Sequence, residues 1–235
     1  MRVAALVLAA GRGERLGRDL PKGFVRLAGR PLWVHAVEAL AAVPEIERVV
    51  PVIPGGELQR FRTGVCEFGS LAKLAEPVLG ATARQDSVRA GLEALPASAE
   101  LVAVHDAARP LLRPEAVARV LAAARRYGAA ILARPVGDTI KRVAGERIVE
   151  TPARSECWAA QTPQVFRTEM LREALAKAAA EGFEGTDDAQ LVERLGVTVH
   201  VVEGDPDNLK ITRDEDLALA EAWLERRSQG GRGAS

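Results

Sequence analysis

Cysteine, lysine and net charge are what this sequence is short of. Its 235 residues hold two cysteines, Cys66 and Cys157, too far apart for a metal knuckle; so low a count matches a reducing compartment and reads as small buried hydrophobes. Lys+Arg 32 offset Asp+Glu 32, so the molecule as a whole is not drawn to nucleic acid or a membrane surface, and any cation cluster must be local. The apolar stretch at residues 3–10 is too short to span a bilayer and no small-residue cleavage site follows it, so a soluble, cytoplasmic protein is expected. No repeats and no interdomain linker interrupt the chain, and 48% hydrophobic residues suffice for one core. Residues 1–226 therefore read as a single domain, with 227–235 a Gly/Ser-rich, disordered tail.

The lysine shortage is itself a clue. Five of the 32 basic residues are lysine (Lys22, Lys73, Lys141, Lys177, Lys210), leaving 27 arginines. Lysines that survive such a bias are expected where a compact point charge is needed rather than a planar fork. Chance clustering is the alternative, although three of the five fall in motif-like segments.

What is present is organised around residues 1–22, MRVAALVLAAGRGERLGRDLPK. The unbroken apolar run at 3–10 has the length of a strand buried on both faces of a parallel sheet. Small Ala9 and Ala10 let a flat base approach the backbone. Gly11 and Gly13 allow a sharp turn that aims peptide N–H groups at an anion, and Arg15 and Lys22 add charge. The segment lacks the Gly-Lys-Ser/Thr of a Walker A loop, the spacing of a dinucleotide fingerprint and the ribose-binding acid about 20 residues on. A nucleotide is nevertheless the expected ligand; the alternative is a strand–turn–helix corner needing glycine only for geometry.

Downstream, strands and helices alternate. A turn at Gly29-Arg30-Pro31 opens a helix with Leu32, Ala36, Val37, Leu40 and Ala41 inward and His35 in a structural role. Strands are expected at 48–53, 74–78, 101–104, 129–133 and 197–202, and helices up to about 95 and at 114–127, 168–181 and 186–195. The small-residue turn Gly80-Ala81 and Arg84 to Ser87 present N–H donors at a helix N-terminus, favourable for anions or a base edge. Asp106, in His105-Asp106-Ala107-Ala108-Arg109-Pro110, follows a strand end, where open α/β sheets bind ligands, and is the foremost metal candidate. Pairing of Asp106 with Arg109 is the competing reading. Asp207 and Lys210 follow another strand in the same way. Thr212 and Glu215 suggest a capping box for a last helix running to about residue 226. The rhythm breaks at 138–151, a polar hairpin in an arm spanning about 136–158; its uncovered edges call for a second subunit. Arg154, Trp158 and Thr162-Pro163-Gln164 return the chain to the sheet.

Taken in order, LAAGRGERLG, PK, ARQDS, HDAARP, DTIK, TPQ, TDDA and DNLKIT resemble the 2-C-methyl-D-erythritol 4-phosphate cytidylyltransferase family, which uses CTP in the non-mevalonate route to isoprenoids. The resemblance covers the chain to about residue 226 and implies a three-layer α/β/α Rossmann-like nucleotidyltransferase fold. In that fold the sheet is mostly parallel and the β-hairpin arm exchanges contacts in a homodimer. It further implies Mg²⁺ dependence and pyrophosphate release. By the same likeness, Arg15, Lys22, Arg154 and Lys210 are catalytic. Ala9, Ala10, Gly11, Gly13, Ala81, Arg84, Ser87 and Asp106 would bind the nucleotide, and Asp106, Arg109, Thr139, Arg154, Thr162 and Lys210 the sugar phosphate, with Thr139 and Arg154 reaching over from the partner's arm. Asp106 and Asp207 would hold the metal. Two departures are Gly23, where the family has something larger, and Gly80-Ala81 in place of Gly-Gly. A cytidylyltransferase for another polyol phosphate such as ribitol 5-phosphate is an alternative. So are a glycosyltransferase using Asp205-Pro206-Asp207 as a metal motif, and a nucleotide-binding module without turnover.

Overall fold

A computed structural model of the protein describes residues 1–11, 20–69 and 71–230. The N-terminal apolar run forms β1 (Val3–Leu8), and a two-residue turn joins β2 (Arg26–Leu27) to β3 (Arg30–Pro31). There follow α1 (Leu32–Ala41), β4 (Ile46–Ile53), α2 (Leu58–Phe68), β5 (Val78–Leu79) and α3 (Arg84–Glu93), then β6 (Leu101–Asp106), α4 (Pro114–Tyr127) and β7 (Ala129–Pro135). The arm hairpin is β8 (Arg142–Ala144) with β9 (Arg147–Glu150), and the chain ends β10 (Trp158–Arg167), α5 (Thr168–Glu181), α6 (Asp188–Glu193), β11 (His200–Glu203) and α7 (Asp214–Gly230).

Among the described residues one seven-stranded sheet runs β11-β7-β10-β6-β1-β4-β5. Its neighbours are parallel except at β10, which is antiparallel to both β6 and β7. Alternate side chains of β1 enter opposite cores. Val3, Ala5 and Val7 pack with Val34, Val37 and Leu40 of α1 and Val117, Val120 and Leu121 of α4. Ala4 and Leu6 pack with Val88 and Leu92 of α3 and Leu171 and Leu175 of α5. Two covered faces make the three-layer α/β/α arrangement and explain why β1 shows no polar alternation. Each fully buried Val or Leu contributes about 1.5–3 kcal/mol of transfer free energy.

The expected elements are present with these corrections. The segment expected only to lead back to the sheet is the ten-residue strand β10, lying in the middle of the sheet. Pro163 disguised it, because a proline argues against a central strand. The ladder to β7 skips from Ala160 to Gln164 and the ladder to β6 begins only at Gln164, so no ladder hydrogen bond is asked of Pro163. The third strand is only Val78–Leu79, with an isolated bridge from Leu74 to Val49. Cys66 is exposed and Cys157 half-exposed, so neither is a core residue. The residue four on from Thr212 caps the last helix, since Asp216 Oδ2 accepts from the Thr212 N–H and hydroxyl and from the Arg213 N–H. That helix runs on through Gly230, past the expected start of the tail.

Candidate active site

Parallel pairing brings the carboxyl ends of β1, β4, β5, β6, β7 and β11 to one rim of the sheet. The chain leaves β1 toward β4 on one side and later enters β6 on the other, so β1 and β6 flank a topological switch point, the usual ligand crevice of such sheets. There Leu8 stands directly opposite Asp106. A cleft of about 600 Å³ opens at this rim, and Ala9, Ala10, Gly11, Lys22, Ala81, Arg84, Ser87, Asp106 and Lys210 all line it. Gly13 and Arg15 lie outside the described residues.

Two glycines set its walls. A Cβ on Gly80 would stand 2.5 Å from Ala10 Cβ, and one on Gly23 would stand 2.7 Å from Ala9 Cβ. Bare backbone at these points lets the β5–α3 turn and the short 3₁₀ turn Lys22–Phe24 close against the end of β1, with the Lys22 N–H donating to Gly11 O at 3.2 Å. The Gly23 departure thus has a packing reason. Ser87, buried, accepts from the Ala81 N–H at 3.0 Å and ties the Ala81 turn to α3.

Asp106 is the electrostatic centre. Its Oδ2 is 2.6 Å from Lys210 Nζ and its Oδ1 3.5 Å from Arg84 Nη2. Burial alone would push its carboxyl up, but the Arg84 and Lys210 charges outweigh burial and hold it well below the usual carboxylate range. The competing reading, Asp106 paired with Arg109, gives way to these two cations. Beneath it a chain of hydrogen bonds fixes the backbone. The Asp106 N–H donates to Thr162 Oγ1 (3.0 Å), the Thr162 hydroxyl to His105 Nδ1 (2.9 Å), and His105 Nε2–H to Arg109 O (3.1 Å). Burial brings the His105 imidazole down to about 4, so it is neutral, as this donor pattern requires.

Several predicted residues sit elsewhere. Asp207 does not line the cleft. Its Oδ2 accepts from Arg113 Nη2 at 2.5 Å, just before α4, and from Arg227 Nη2 of α7 at 2.6 Å, beside a separate cavity of about 350 Å³. The sequence expectation that Asp207 joins Asp106 at one metal is not met in the cleft lining, which holds Asp106 without Asp207. Thr162 is likewise a buried hydrogen-bond relay rather than a cleft residue. Arg109 turns its guanidinium to Asn208 O and Ala160 O. Thr139 and Arg154 are exposed on the arm, with Arg154 Nη1 donating to Gly137 O.

Sequence reading overlooked three residues. Fully buried Asp188 is 2.8 Å from Arg84 Nη2, the nitrogen that also faces Asp106. Gln164 Oε1 accepts the Asp188 and Ala189 N–H groups while its Nε2 donates to Asp187. Asp216, besides capping α7, lies within electrostatic reach of Lys22. TDDA and TPQ were visible as motifs, but nothing local said that these side chains turn inward.

Among the described residues no three His, Cys, Asp or Glu side chains gather as a metal cage. Mg²⁺ takes one or two carboxylates and completes its shell with phosphate oxygens and water. One ionised carboxylate in a cation-lined cleft fits that role.

A switch-point cleft with glycine-trimmed walls, two lysines and a single ionised aspartate defines a nucleotide-handling α/β protein. A family model described as 2-C-methyl-D-erythritol 4-phosphate cytidylyltransferase matches residues 3–226. A relative of that name from Geotalea uraniireducens is 44% identical over 226 residues, 95% of this chain and 97% of its own; one from Desulforamulus reducens is 40% identical, covering 96% and 97%. The Thermus thermophilus crystal structure titled as this cytidylyltransferase superposes with a TM-score of 0.78 at 40% identity, over 96% of this chain and 100% of that one. The Anaerococcus prevotii structure titled 4-diphosphocytidyl-2C-methyl-D-erythritol synthase reaches 0.84 at 30% identity, over 95% and 98%. The chain belongs to the 2-C-methyl-D-erythritol 4-phosphate cytidylyltransferase family.

Proposed function

We infer that the cleft transfers CMP from CTP to 2-C-methyl-D-erythritol 4-phosphate, giving 4-diphosphocytidyl-2-C-methyl-D-erythritol and pyrophosphate. The observation that carries the chemistry is the convergence of Lys22, Lys210 and Asp106 on one cleft at the switch point. A phosphate monoester has its second pKa near 6, so the attacking oxygen is already anionic at neutral pH and needs no general base. A bond forms between that oxygen and the α-phosphorus as the bond to the bridging oxygen of pyrophosphate breaks. The obstacle is repulsion between two anions, so the protein's task is alignment and charge neutralisation. Lys22 and Lys210 supply fixed positive charge. Ala9, Ala10 and the Ala81–Ser87 turn offer small side chains and backbone for the base. Asp106 would hold Mg²⁺, which when bound neutralises phosphate charge.

The enzyme acts, in this reading, as a homodimer in the cytoplasm. The arm hairpin forms its own two-stranded sheet, and Val143 (57% exposed), Ile148 (62%) and Val149 (46%) stand in the open. A lone two-stranded hairpin is marginal in water. A second arm packed on these residues would cover them and carry the partner's Thr139 and Arg154 toward the sugar phosphate.

Pyrophosphate release from purified protein with Mg²⁺, each nucleoside triphosphate in turn and a panel of polyol phosphates tests the assignment. Turnover with CTP and 2-C-methyl-D-erythritol 4-phosphate is expected. Preference for ribitol 5-phosphate would reassign the acceptor, and CTP binding without pyrophosphate would overturn catalysis.

A further inference from the structure

Arg84 stands between two carboxylates. Its Nη2 is 2.8 Å from Asp188 Oδ2 and 3.5 Å from Asp106 Oδ1. Asp188 is fully buried, and its Oδ1 has no hydrogen-bond partner among the described residues. Burial pushes the Asp188 carboxyl up from the ordinary carboxylate range and the Arg84 guanidinium opposes that, so Arg84 is the group that offsets the cost of keeping the buried charge. The scaffold around it is firm: Gln164 Oε1 accepts the Asp188 N–H, Asp187 caps α6, and the neighbouring Gln85 is bonded to Phe183 O and the Gly185 N–H. Asp188 is thus held in place by its own backbone, leaving its side chain to act on Arg84.

We propose that Asp188 is a positioning residue that draws Arg84 off Asp106, so that Asp106 keeps an oxygen available for a cation-bound triphosphate. The idle Oδ1 gives Asp188 room to take a second N–H from Arg84 as a two-pronged pair. Arg84 then stays in the cleft wall at 3.5 Å from Asp106 Oδ1, the longer of its two carboxylate contacts. Lys210, the other cation bonded to Asp106, sits on the opposite oxygen, so among the described residues the cation on Oδ1 is Arg84. The inference rests on reading Asp106 as the metal ligand.

The test is calorimetric CTP binding over a range of Mg²⁺ concentrations, for wild type, Asp188→Asn, Arg84→Gln and the double variant, with circular dichroism to confirm folding. In Asp188→Asn, Arg84 settles on Asp106, so the Mg²⁺ concentration for half-maximal enhancement of CTP binding should rise about fivefold or more while metal-free CTP binding stays within about twofold. In the Arg84→Gln background the same change should add less than about twofold, because Asp188 acts only through Arg84. A wild type whose CTP binding ignores Mg²⁺ would overturn the metal reading and this inference with it. A Mg²⁺-dependent wild type with an unshifted Asp188→Asn curve would overturn this inference alone, as would a shift persisting in the double variant. Should Asp188→Asn not fold, Arg84→Gln is read alone: with no guanidinium to settle on Asp106, the Mg²⁺ concentration for half-maximal enhancement should not rise, and a rise of about fivefold overturns the proposal.

Discussion

Single side chains in this protein act through the charge they hold fixed. Lys22 is pinned by its own backbone bond to Gly11 and lines the cleft beside Ala9. One preorganised charge donor is typically worth about 3–4 kcal/mol in a transition state, so Lys22→Ala should lower kcat roughly 100-fold or more with little change in melting temperature. Near-normal turnover would remove Lys22 from catalysis. His105 carries a different consequence. Folded, it takes up a proton only near pH 4, whereas the unfolded chain does so near 6.5. Between those values the unfolded state binds more protons, so His105 makes stability fall as pH drops from about 6.5 to 4, by on the order of 3 kcal/mol in all. Urea midpoints for wild type and His105→Gln at pH 7 and 4.5 should show a steeper acid loss in wild type. Parallel losses would mean that the imidazole is protonated in the folded state.

Among the elements, the close approach of β1 to the β5–α3 turn shapes the cleft wall proposed to hold the base. A Cβ on Gly80 would meet Ala10 Cβ at 2.5 Å, Ser87 Oγ at 3.0 Å and Val52 Cγ1 at 3.2 Å. Gly80→Ala must therefore push the turn outward, costing about 1–3 kcal/mol, and the widened wall should raise KM for CTP about tenfold more than it lowers kcat. Unchanged KM would show that this wall does not hold the base. Element identity was largely legible: α4 and α5 begin and end where caps and periodicity put them, at Pro114–Tyr127 and Thr168–Glu181. β10 was not, because its proline is excused only by a gap in both neighbouring ladders, and such a gap depends on strands distant in sequence. The capping partner of Thr212 was missed by one position for a related reason. Asp216 and Glu215 are both plausible by spacing, and the entry angle of α7 chooses.

For the molecule as a whole, the proposed homodimer rests on the arm. Its apolar side chains and separate two-stranded sheet point to a partner copy. Replacing Val143 and Ile148 together with Asp should convert dimer to monomer on size-exclusion chromatography with light scattering. Turnover with the sugar phosphate should fall at least about tenfold, since stripping the apolar anchors from each arm costs more than about 1.4 kcal/mol, while CTP binding is retained. A monomeric wild type, or a dimer unaffected by the change, would remove the arm from assembly.

Local periodicity and charge were enough to read the alternation of strands and helices, the apolar first strand and the candidates Lys22, Asp106 and Lys210 from the sequence. Only the tertiary structure decided that Asp207 belongs to Arg113 and Arg227, that Thr162 serves His105 and the Asp106 backbone, and that Asp188 shares Arg84 with Asp106. The physical reason is that a carboxylate or hydroxyl has the same chemistry wherever it sits. Its partner is chosen by which distant strand ends the fold brings within about 3 Å, the reach of a hydrogen bond.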